Sequence, residues 1–215
     1  MKMKKKKICI AICLLTMFVL WTLIVSFIDV NRIGPNESSV GLSTLNGFIH
    51  KLIGVNWFLY TLTDWLGLVP IAVALGFAVL GLVQLIRRKR LNRVDYNILV
   101  LGVFYIVVIS VYIFFEMTII NYRPVLINEY LEASYPSSTT MLVMCVMPTA
   151  AMQFNMRIKN AILRRCVVAT IIVFVIFMVV GRLISGVHWI SDIIGGALFS
   201  SGMVIMYDAL TNKNI

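Results

Sequence analysis

His188 and Asp192 lie four residues apart in the last quarter of the sequence, and Arg182 precedes His188 by six residues. On a helix, residues at this four-residue spacing share a face and can touch. A carboxylate that accepts a hydrogen bond from one ring nitrogen fixes the tautomer and leaves the other nitrogen free to attack. Arg182 adds a permanently charged, forked donor that matches phosphate oxygens. The three residues predict a phosphate site with a nucleophilic histidine.

Two further segments supply groups that bind phosphate. The segment Pro136-Ser137-Ser138-Thr139-Thr140 directly precedes an apolar run, so we expect it to begin a helix. Hydroxyl side chains cap such a helix start, and its free backbone N–H groups and dipole attract anions. Ser137, Ser138 and Thr139 are therefore candidate phosphate ligands. Arg123, which is followed by the helix-disfavouring Pro124, supplies a second guanidinium group.

The composition assigns these segments to an integral membrane protein. Hydrophobic residues make up 60% of the 215 residues and charged residues 13%, whereas soluble domains carry about a quarter charged residues. Six apolar runs are candidate spans of a bilayer: 8–28, 66–86, 98–115, 141–156, 166–180 and 193–207. We expect an all-α fold with six transmembrane helices and a single membrane domain over residues 1–215.

The positions of the basic residues predict the orientation of these spans. With the amino terminus in the cytoplasm, 15 of the 19 Lys and Arg residues lie inside, among them the basic start at 1–7 and Lys213. The positive-inside rule therefore places both termini in the cytoplasm and the three phosphate-binding segments outside. Omitting the more polar fourth span would spoil this asymmetry. The net charge of +10 lies in these flanks and not on a basic amphipathic surface, so no nucleic-acid partner is expected.

The segment 31–64, between the first two spans, is predicted to lie outside. Five apolar residues recur there at helical spacing, with polar residues between them, which indicates an amphipathic helix at the outer membrane interface: Leu45, Phe48, Ile49, Leu52 and Ile53. His50 is explained by its place on this helix. The four cysteines lack metal-ligand spacing and are assigned to packing: Cys9, Cys13, Cys145 and Cys166.

The segment Gly181-Arg182-Leu-Ile-Ser-Gly-Val-His188-Trp-Ile-Ser-Asp192 is similar to a family motif, Ser-Arg-x5-His-x3-Asp, and lacks only the leading Ser. The motif is the third of the type 2 phosphatidic acid phosphatase superfamily, also called the lipid phosphate phosphatase family, and the resemblance covers about residues 60–208. It implies that His188 attacks phosphorus to form a phosphohistidine and that Asp192 orients His188.

The same resemblance implies the substrate and the rest of the site. Arg123 and Arg182, helped by Ser137 and Ser138, would hold the phosphate oxygens, with no metal or other cofactor. The substrate would be a membrane lipid phosphate or diphosphate hydrolysed at the outer face, and undecaprenyl diphosphate is an example suggested by the family alone. The oligomeric state, the lipid tail and the choice between mono- and diphosphate stay open.

The sequence departs from the family pattern at two positions. The Lys of the first motif, Lys-x6-Arg-Pro, falls at Glu116, and the His of the second motif, Pro-Ser-Gly-His, falls at Thr139. In the family that His protonates the leaving oxygen, a role worth typically 10²–10⁴-fold in rate. A threonine hydroxyl is too weak an acid to replace it.

Three interpretations of these departures are open. The chain hydrolyses diphosphates, whose leaving phosphate needs little protonation; or Glu116 supplies the proton; or the protein binds or senses a lipid phosphate without turning it over. Glu129, Glu132 and His50 are weaker candidates for the acid. A catalytically silent binder or transport partner is thus the alternative to an enzyme.

Overall fold

The computed structural model describes residues 2–212, and Lys213, which the charge count places inside, lies outside this range. Eight α-helices make up most of the described chain: α1 (Lys2–Phe27), α2 (Ser43–Ile53), α3 (Trp57–Leu66), α4 (Leu68–Arg88), α5 (Tyr96–Met117), α6 (Ser138–Arg157), α7 (Ala161–Ile184) and α8 (Ile190–Thr211). Two short antiparallel strands, β1 (Asn31–Arg32) and β2 (Ser39–Val40), lie between α1 and α2.

Five stretches of the described chain are long enough and apolar enough to cross a membrane: α1, α3 with α4, α5, α7 and α8. The helices α3 and α4 follow each other around Gly67, so that Trp57–Arg88 forms one apolar stretch of 32 residues. The second, third, fifth and sixth predicted runs fall within these stretches, and the first run, 8–28, extends one residue beyond α1. The fourth run falls in α6, which is 20 residues long but more polar.

The position of α6 explains its low hydropathy. This helix packs against α4, α5, α7 and α8. Its polar residues Thr140, Thr149 and Gln153 are buried, and Thr149 Oγ1 donates a hydrogen bond to the Cys145 carbonyl oxygen at 2.8 Å. Polar side chains of a helix enclosed by other helices find partners inside the protein, so such a helix needs no continuous apolar surface.

The helix α1 packs along α8. Its buried residues Ala11, Phe18 and Val25 recur every seven residues and form one seam. On the facing side of α8, a Cβ atom at Gly202 would lie 2.9 Å from Leu15 Cγ, so glycine allows the two helices to approach closely. The remaining apolar side chains of α1 are largely exposed, as expected for a helix that faces lipid.

The prediction that all four cysteines pack inside the protein is wrong for three of them. Cys145 is buried in α6, whereas Cys9, Cys13 and Cys166 are exposed. The exposed cysteines lie on outward faces of α1 and α7. An apolar run in a membrane protein faces lipid as readily as it faces a core, and the run alone does not distinguish the two.

Polar contacts mark two opposite ends of the bundle. At the end that we call the Asp95 end, Asp95 pairs with Arg88 at 2.8 Å and with Arg157 at 3.8 Å, and Lys7 pairs with Asp208. At the other end, which we call the His188 end, the ends of α5 and α7 meet the starts of α6 and α8. The residues singled out for chemistry gather at the His188 end.

Candidate functional site

His188 lies in the loop between α7 and α8, one residue before the N-cap of α8. Gly186 turns this loop with a φ of +67°, and a Cβ atom there would lie 1.9 Å from the Gly54 carbonyl oxygen. Only glycine satisfies both conditions. The loop is braced by α2, because His50 Nε2 lies 3.1 Å from the Gly186 carbonyl oxygen and its ring packs on Trp189. His50 therefore holds the loop in place, and burial lowers its pKa.

Asp192 is buried in the first turn of α8, and four groups donate hydrogen bonds to its carboxylate. Its Oδ2 accepts a hydrogen bond from the Trp189 backbone N–H at 2.9 Å, as an acidic residue does in a capping box. Its Oδ1 accepts hydrogen bonds from Asn121 Nδ2 at 3.4 Å and from Ser191 Oγ at 3.3 Å. The fourth group is the hydroxyl of Ser134. The carboxylate is thus fixed in one orientation.

The direct hydrogen bond between Asp192 and His188 that the four-residue spacing predicts is not formed. His188 Nδ1 lies 3.8 Å from Asp192 Oδ2, which is too far for a hydrogen bond. Ser134 Oγ lies between them, 3.0 Å from Nδ1 and 2.5 Å from Oδ2. The helical spacing rule does not apply here, because His188 precedes the helix on which Asp192 stands.

Ser134 is a site residue that the sequence analysis missed. It lies in the loop between α5 and α6, outside every motif, and its backbone N–H donates to the Asn121 carbonyl oxygen at 2.9 Å. An isolated bridge between Tyr122 and Ala133 closes the same loop. Only this fold of the loop brings Ser134 beneath the imidazole, and no periodicity or spacing in the sequence indicates it.

Arg182 is 1% exposed and is held by α3. Its Nη1 donates to Thr63 Oγ1 at 3.3 Å and to the Tyr60 carbonyl oxygen at 3.5 Å, and its Nη2 lies 3.5 Å from Asp64 Oδ1. The guanidinium also lies over the Tyr60 ring, 5.1 Å from the ring centroid. Its Nε is buried without a hydrogen-bond partner. The two Nη atoms therefore anchor the group while Nε stays available.

Arg123 is 9% exposed and stands in the same loop as Ser134. Its backbone N–H donates to the Glu132 carbonyl oxygen at 3.0 Å. Its Nε lies 3.1 Å from Glu132 Oε2, an ion-pair distance without the alignment of a hydrogen bond, and Nε and Nη1 are buried without hydrogen-bond partners. This guanidinium is paired in charge but keeps two nitrogens able to donate.

The buried polar atoms without partners concentrate at this site. Within residues 2–212, five such side-chain atoms occur, and four of them belong to the three residues predicted to handle phosphate: Arg123 Nε and Nη1, Arg182 Nε and His188 Nε2. Native proteins satisfy most buried polar groups, so a cluster of unsatisfied donors around a ring nitrogen indicates a binding site for an anion. Burial and the positive charges of Arg123 and Arg182 hold the pKa of His188 well below its ordinary range.

The three hydroxyl residues predicted to bind phosphate have two different environments at the start of α6. Ser137 is the N-cap, its Oγ accepts a hydrogen bond from Thr140 Oγ1 at 3.0 Å, and its backbone N–H donates to the Asp192 carbonyl oxygen at 3.1 Å. These bonds link α6 to α8 within the protein. Ser138 and Thr139 instead line a groove along the bundle.

Glu116 is exposed near the end of α5. With Tyr112, Ser134 and Ser138, it lines a small cavity of about 10 Å³, which is room for roughly one water molecule. Of the weaker candidates for the acid, Glu132 pairs with Arg123. Glu129 stands in a turn with a φ of +69°.

The groove beside the site has a volume of about 1000 Å³ and runs along α4 and α5. Apolar side chains line most of it, including Leu75, Leu82 and Ile106, and Gly81 and Gly102 are part of its wall. At the His188 end its lining becomes polar, with residues from three helices: Asp64, Tyr112, Ser138 and Thr139. The groove thus joins an apolar channel to the site, since Asp64 also pairs with Arg182.

Comparison with known proteins finds a family model and a solved structure that are similar to the chain. The family model of the PAP2 superfamily matches residues 114–215. Among solved structures, the chain is similar to one described as the crystal structure of the first transmembrane PAP2 type phosphatidylglycerolphosphate phosphatase from Bacillus subtilis, with a TM-score of 0.55. The two chains are 21% identical, and 93% of each is covered, so this likeness concerns the fold. No curated protein matches the chain.

The matched residues 114–215 contain Glu116, Arg123, Ser134, His188 and Asp192. The family model covers the segment 181–192 in which the motif lies, and the fold of the described chain is similar to that of a PAP2 type phosphatase. Together they confirm the resemblance to the PAP2 superfamily.

Proposed function

We propose that the protein is a membrane phosphatase that hydrolyses a lipid phosphate or diphosphate through a phosphohistidine at His188. The observation that carries this proposal is the cluster of buried, unpartnered nitrogens on Arg123, Arg182 and His188. Guanidinium donors bind phosphate oxygens, and a neutral imidazole nitrogen with a free lone pair is a nucleophile. The PAP2 superfamily match supports the same reaction class.

The reaction takes place in two displacements. Arg123 and Arg182 hold the oxygens while His188 Nε2 attacks phosphorus, so that a P–N bond forms and the P–O bond to the leaving group breaks. The imidazole becomes positively charged in this step, and the buried carboxylate of Asp192 stabilises it. Water then attacks phosphorus and breaks the P–N bond, which releases phosphate and restores the neutral imidazole.

Protonation of the leaving oxygen is the step for which the family residue is missing. We propose two solutions to be distinguished by experiment. With a diphosphate substrate the leaving group is the lipid monophosphate anion, which needs little protonation, and this agrees with Thr139 at the second motif. A monophosphate ester needs an acid, and Glu116 lines the cavity next to Ser138.

The groove supports a lipid as the substrate. Its apolar walls along α4 and α5 are suited to an acyl or prenyl chain, and its polar end lies beside Asp64 and Thr139. A lipid that enters sideways would keep its tail in the groove while its head group reaches the two arginines. Phosphatidylglycerol phosphate, the substrate named for the Bacillus subtilis protein, and undecaprenyl diphosphate are two lipids to test.

We further propose the arrangement of the chain in the membrane. The helix α6 would serve as the sixth span, enclosed by the others, within one membrane domain with both termini in the cytoplasm. The site would then face outward. The helix α2 would lie at the outer interface, because Phe48 and Leu52 are exposed on it while Asn46 and His50 contact the protein.

Phosphate release from a panel of lipids tests the proposal. The purified protein in lipid nanodiscs is given phosphatidic acid, phosphatidylglycerol phosphate and undecaprenyl diphosphate, each with and without EDTA. We expect release from at least one of them, unaffected by EDTA and abolished in His188→Ala. Release that persists in His188→Ala would contradict the proposal.

A second function, binding of a lipid phosphate without hydrolysis, has two observations in its favour. The acid of the second motif is absent, and the carboxylates of Glu132 and Asp64 already neutralise the two arginines. A binder would saturate with the same lipids without releasing phosphate. Binding measured alongside release, on wild type and on the double variant Arg123→Gln/Arg182→Gln, separates the two functions.

A further inference from the structure

We propose that Ser134 is the positioning residue of the nucleophile, and that Asp192 acts on His188 through the Ser134 hydroxyl and not directly. This inference deepens the proposed function and rests on it. It starts from three distances: 3.0 Å from Ser134 Oγ to His188 Nδ1, 2.5 Å from Ser134 Oγ to Asp192 Oδ2, and 3.8 Å from Nδ1 to Oδ2.

The direction of the hydrogen bonds follows from the number of protons. An ionised carboxylate can only accept, so the single proton of the Ser134 hydroxyl is donated to Asp192. The hydroxyl oxygen can then only accept from the imidazole, which puts the ring proton on Nδ1. Nε2 is left with its lone pair, and it is this atom that is buried without a partner.

Both neighbours of the Ser134 hydroxyl are held in place. Asp192 is anchored by the Trp189 backbone, Asn121 and Ser191. Ser134 is 2% exposed, and its backbone bonds to Asn121, whose side chain also reaches Asp192. The serine therefore has no room to move aside and let carboxylate and imidazole meet.

Ser134 also links His188 to Arg123, one of the two arginines proposed to bind phosphate. Ser134 and Arg123 are carried by the same loop, which is closed by the bridge from Tyr122 to Ala133. A shift of this loop would move the Arg123 guanidinium and the tautomer-fixing group together. Binding of phosphate at Arg123 and the tautomer of His188 are thus coupled through the backbone of this loop.

The test compares Ser134→Ala with Ser191→Ala. Both variants remove a hydroxyl that hydrogen-bonds Asp192, but only Ser134 also contacts His188. We expect Ser134→Ala to slow phosphohistidine formation by about 100-fold with KM within about threefold, since an orienting group acts on the reacting atom and not on binding. Ser191→Ala should slow it by less than about tenfold, and Ser134→Thr, which restores the hydroxyl, should recover most of the rate.

A second readout reports the tautomer itself and needs no substrate. His50 and His188 are the two histidines of the chain, so ¹⁵N-histidine labelling gives the signals of two imidazoles, and those absent from His188→Ala belong to His188. We expect the Nδ1–H tautomer in the wild type and in Ser191→Ala, and a mixture of tautomers in Ser134→Ala. Ser134→Cys, with a weaker donor of similar shape, serves the same comparison if Ser134→Ala yields little folded protein.

The outcomes separate the two proposals. An unchanged tautomer in Ser134→Ala, or a rate within about threefold of wild type, would overturn the role of Ser134 and leave the phosphatase intact. Absence of a phosphoenzyme on wild type with every lipid would contradict the phosphatase, while the tautomer spectra would still decide what Ser134 does.

Discussion

The protonation state of His188 is set by its surroundings. The side chain is 3% exposed, and burial together with the charges of Arg123 and Arg182 holds its pKa well below the ordinary value of about 6.5. The surroundings of His188 thus favour the neutral imidazole that a nucleophile requires. The two cations that we propose to bind phosphate therefore also disfavour protonation of His188.

A titration of His188 tests this coupling. At a pH one unit below its pKa, an ordinary histidine is about 90% protonated. The imidazole of His188 should instead stay mostly neutral well below pH 6.5. Removing a nearby positive charge favours protonation, so Arg123→Gln should raise the pKa of His188. The measurement is ¹⁵N NMR of labelled histidine, with His188→Ala identifying the signals of His188. A pH–rate profile is less direct, because a lipid phosphate itself titrates near pH 6. A wild-type pKa near 6.5, or a lower one in Arg123→Gln, would contradict the account.

The role of Glu116 is tested by comparing substrates with different leaving groups. If its carboxyl protonates the leaving oxygen, Glu116→Gln should lose about 10²-fold or more in kcat on monophosphate esters. On diphosphates the loss should stay within about threefold, because a phosphate leaves without protonation. Equal losses on both classes would show that Glu116 acts in some other way. Glu129→Gln is the matched control, a carboxylate in the same outer region that lines neither the cavity nor the groove.

Individual helices show what the sequence could and could not predict. The five apolar stretches were predictable, because lipid contact demands long apolar runs. The helix α6 was predictable only through the balance of charges, since its buried Thr149 and Gln153 dilute its hydropathy. The place of Ser134 was not predictable, because it depends on how an irregular loop folds back on α8. The Asp192–His188 hydrogen bond was predicted wrongly for a related reason: α8 begins after His188.

A substitution in the wall of the groove between α4 and α5 tests whether the groove holds the lipid tail. Gly102 lines the groove, and a Cβ atom there would meet nothing within 4 Å, so Gly102→Phe would fill the groove without a clash in the backbone. We expect it to lower kcat/KM at least about tenfold for long-chain lipids and to spare a short-chain, water-soluble analogue, because only a long tail needs the groove.

Gly76 provides the matched control on α4. It is exposed, a Cβ atom there also meets nothing within 4 Å, and it does not line the groove. Gly76→Phe should leave activity on both kinds of substrate within about twofold of wild type. Equal effects of Gly102→Phe and Gly76→Phe would mean that the groove does not hold the lipid tail.

At the scale of the whole molecule, charge is divided between the two ends of the bundle. Basic residues of the Asp95 end include Arg88 and Arg157, which pair with Asp95. At the His188 end, Arg123 and Arg182 are buried in the site. We propose that the Asp95 end faces the cytoplasm and that the His188 end receives a lipid head group, an arrangement that agrees with the positive-inside rule.

Labelling of single cysteines tests this orientation. In a background with serine at Cys9, Cys13 and Cys166, we expect Asn36→Cys to react with a membrane-impermeant maleimide in intact cells. Asn92→Cys, in the turn between α4 and α5, should react only after the membrane is permeabilised. The reverse pattern would place the site on the cytoplasmic side.

The most direct test of the account is the isolation of the phosphohistidine. Wild-type protein is mixed with a lipid carrying labelled phosphate and quenched in alkali, which preserves a phosphorus–nitrogen bond, and the labelled residue is identified by mass spectrometry. We predict label on His188, no label in His188→Ala, and greatly reduced label in Arg182→Lys, whose ammonium cannot both anchor on α3 and donate to phosphate. Lipid phosphate hydrolysis without label on His188, or label on another residue, would contradict the account.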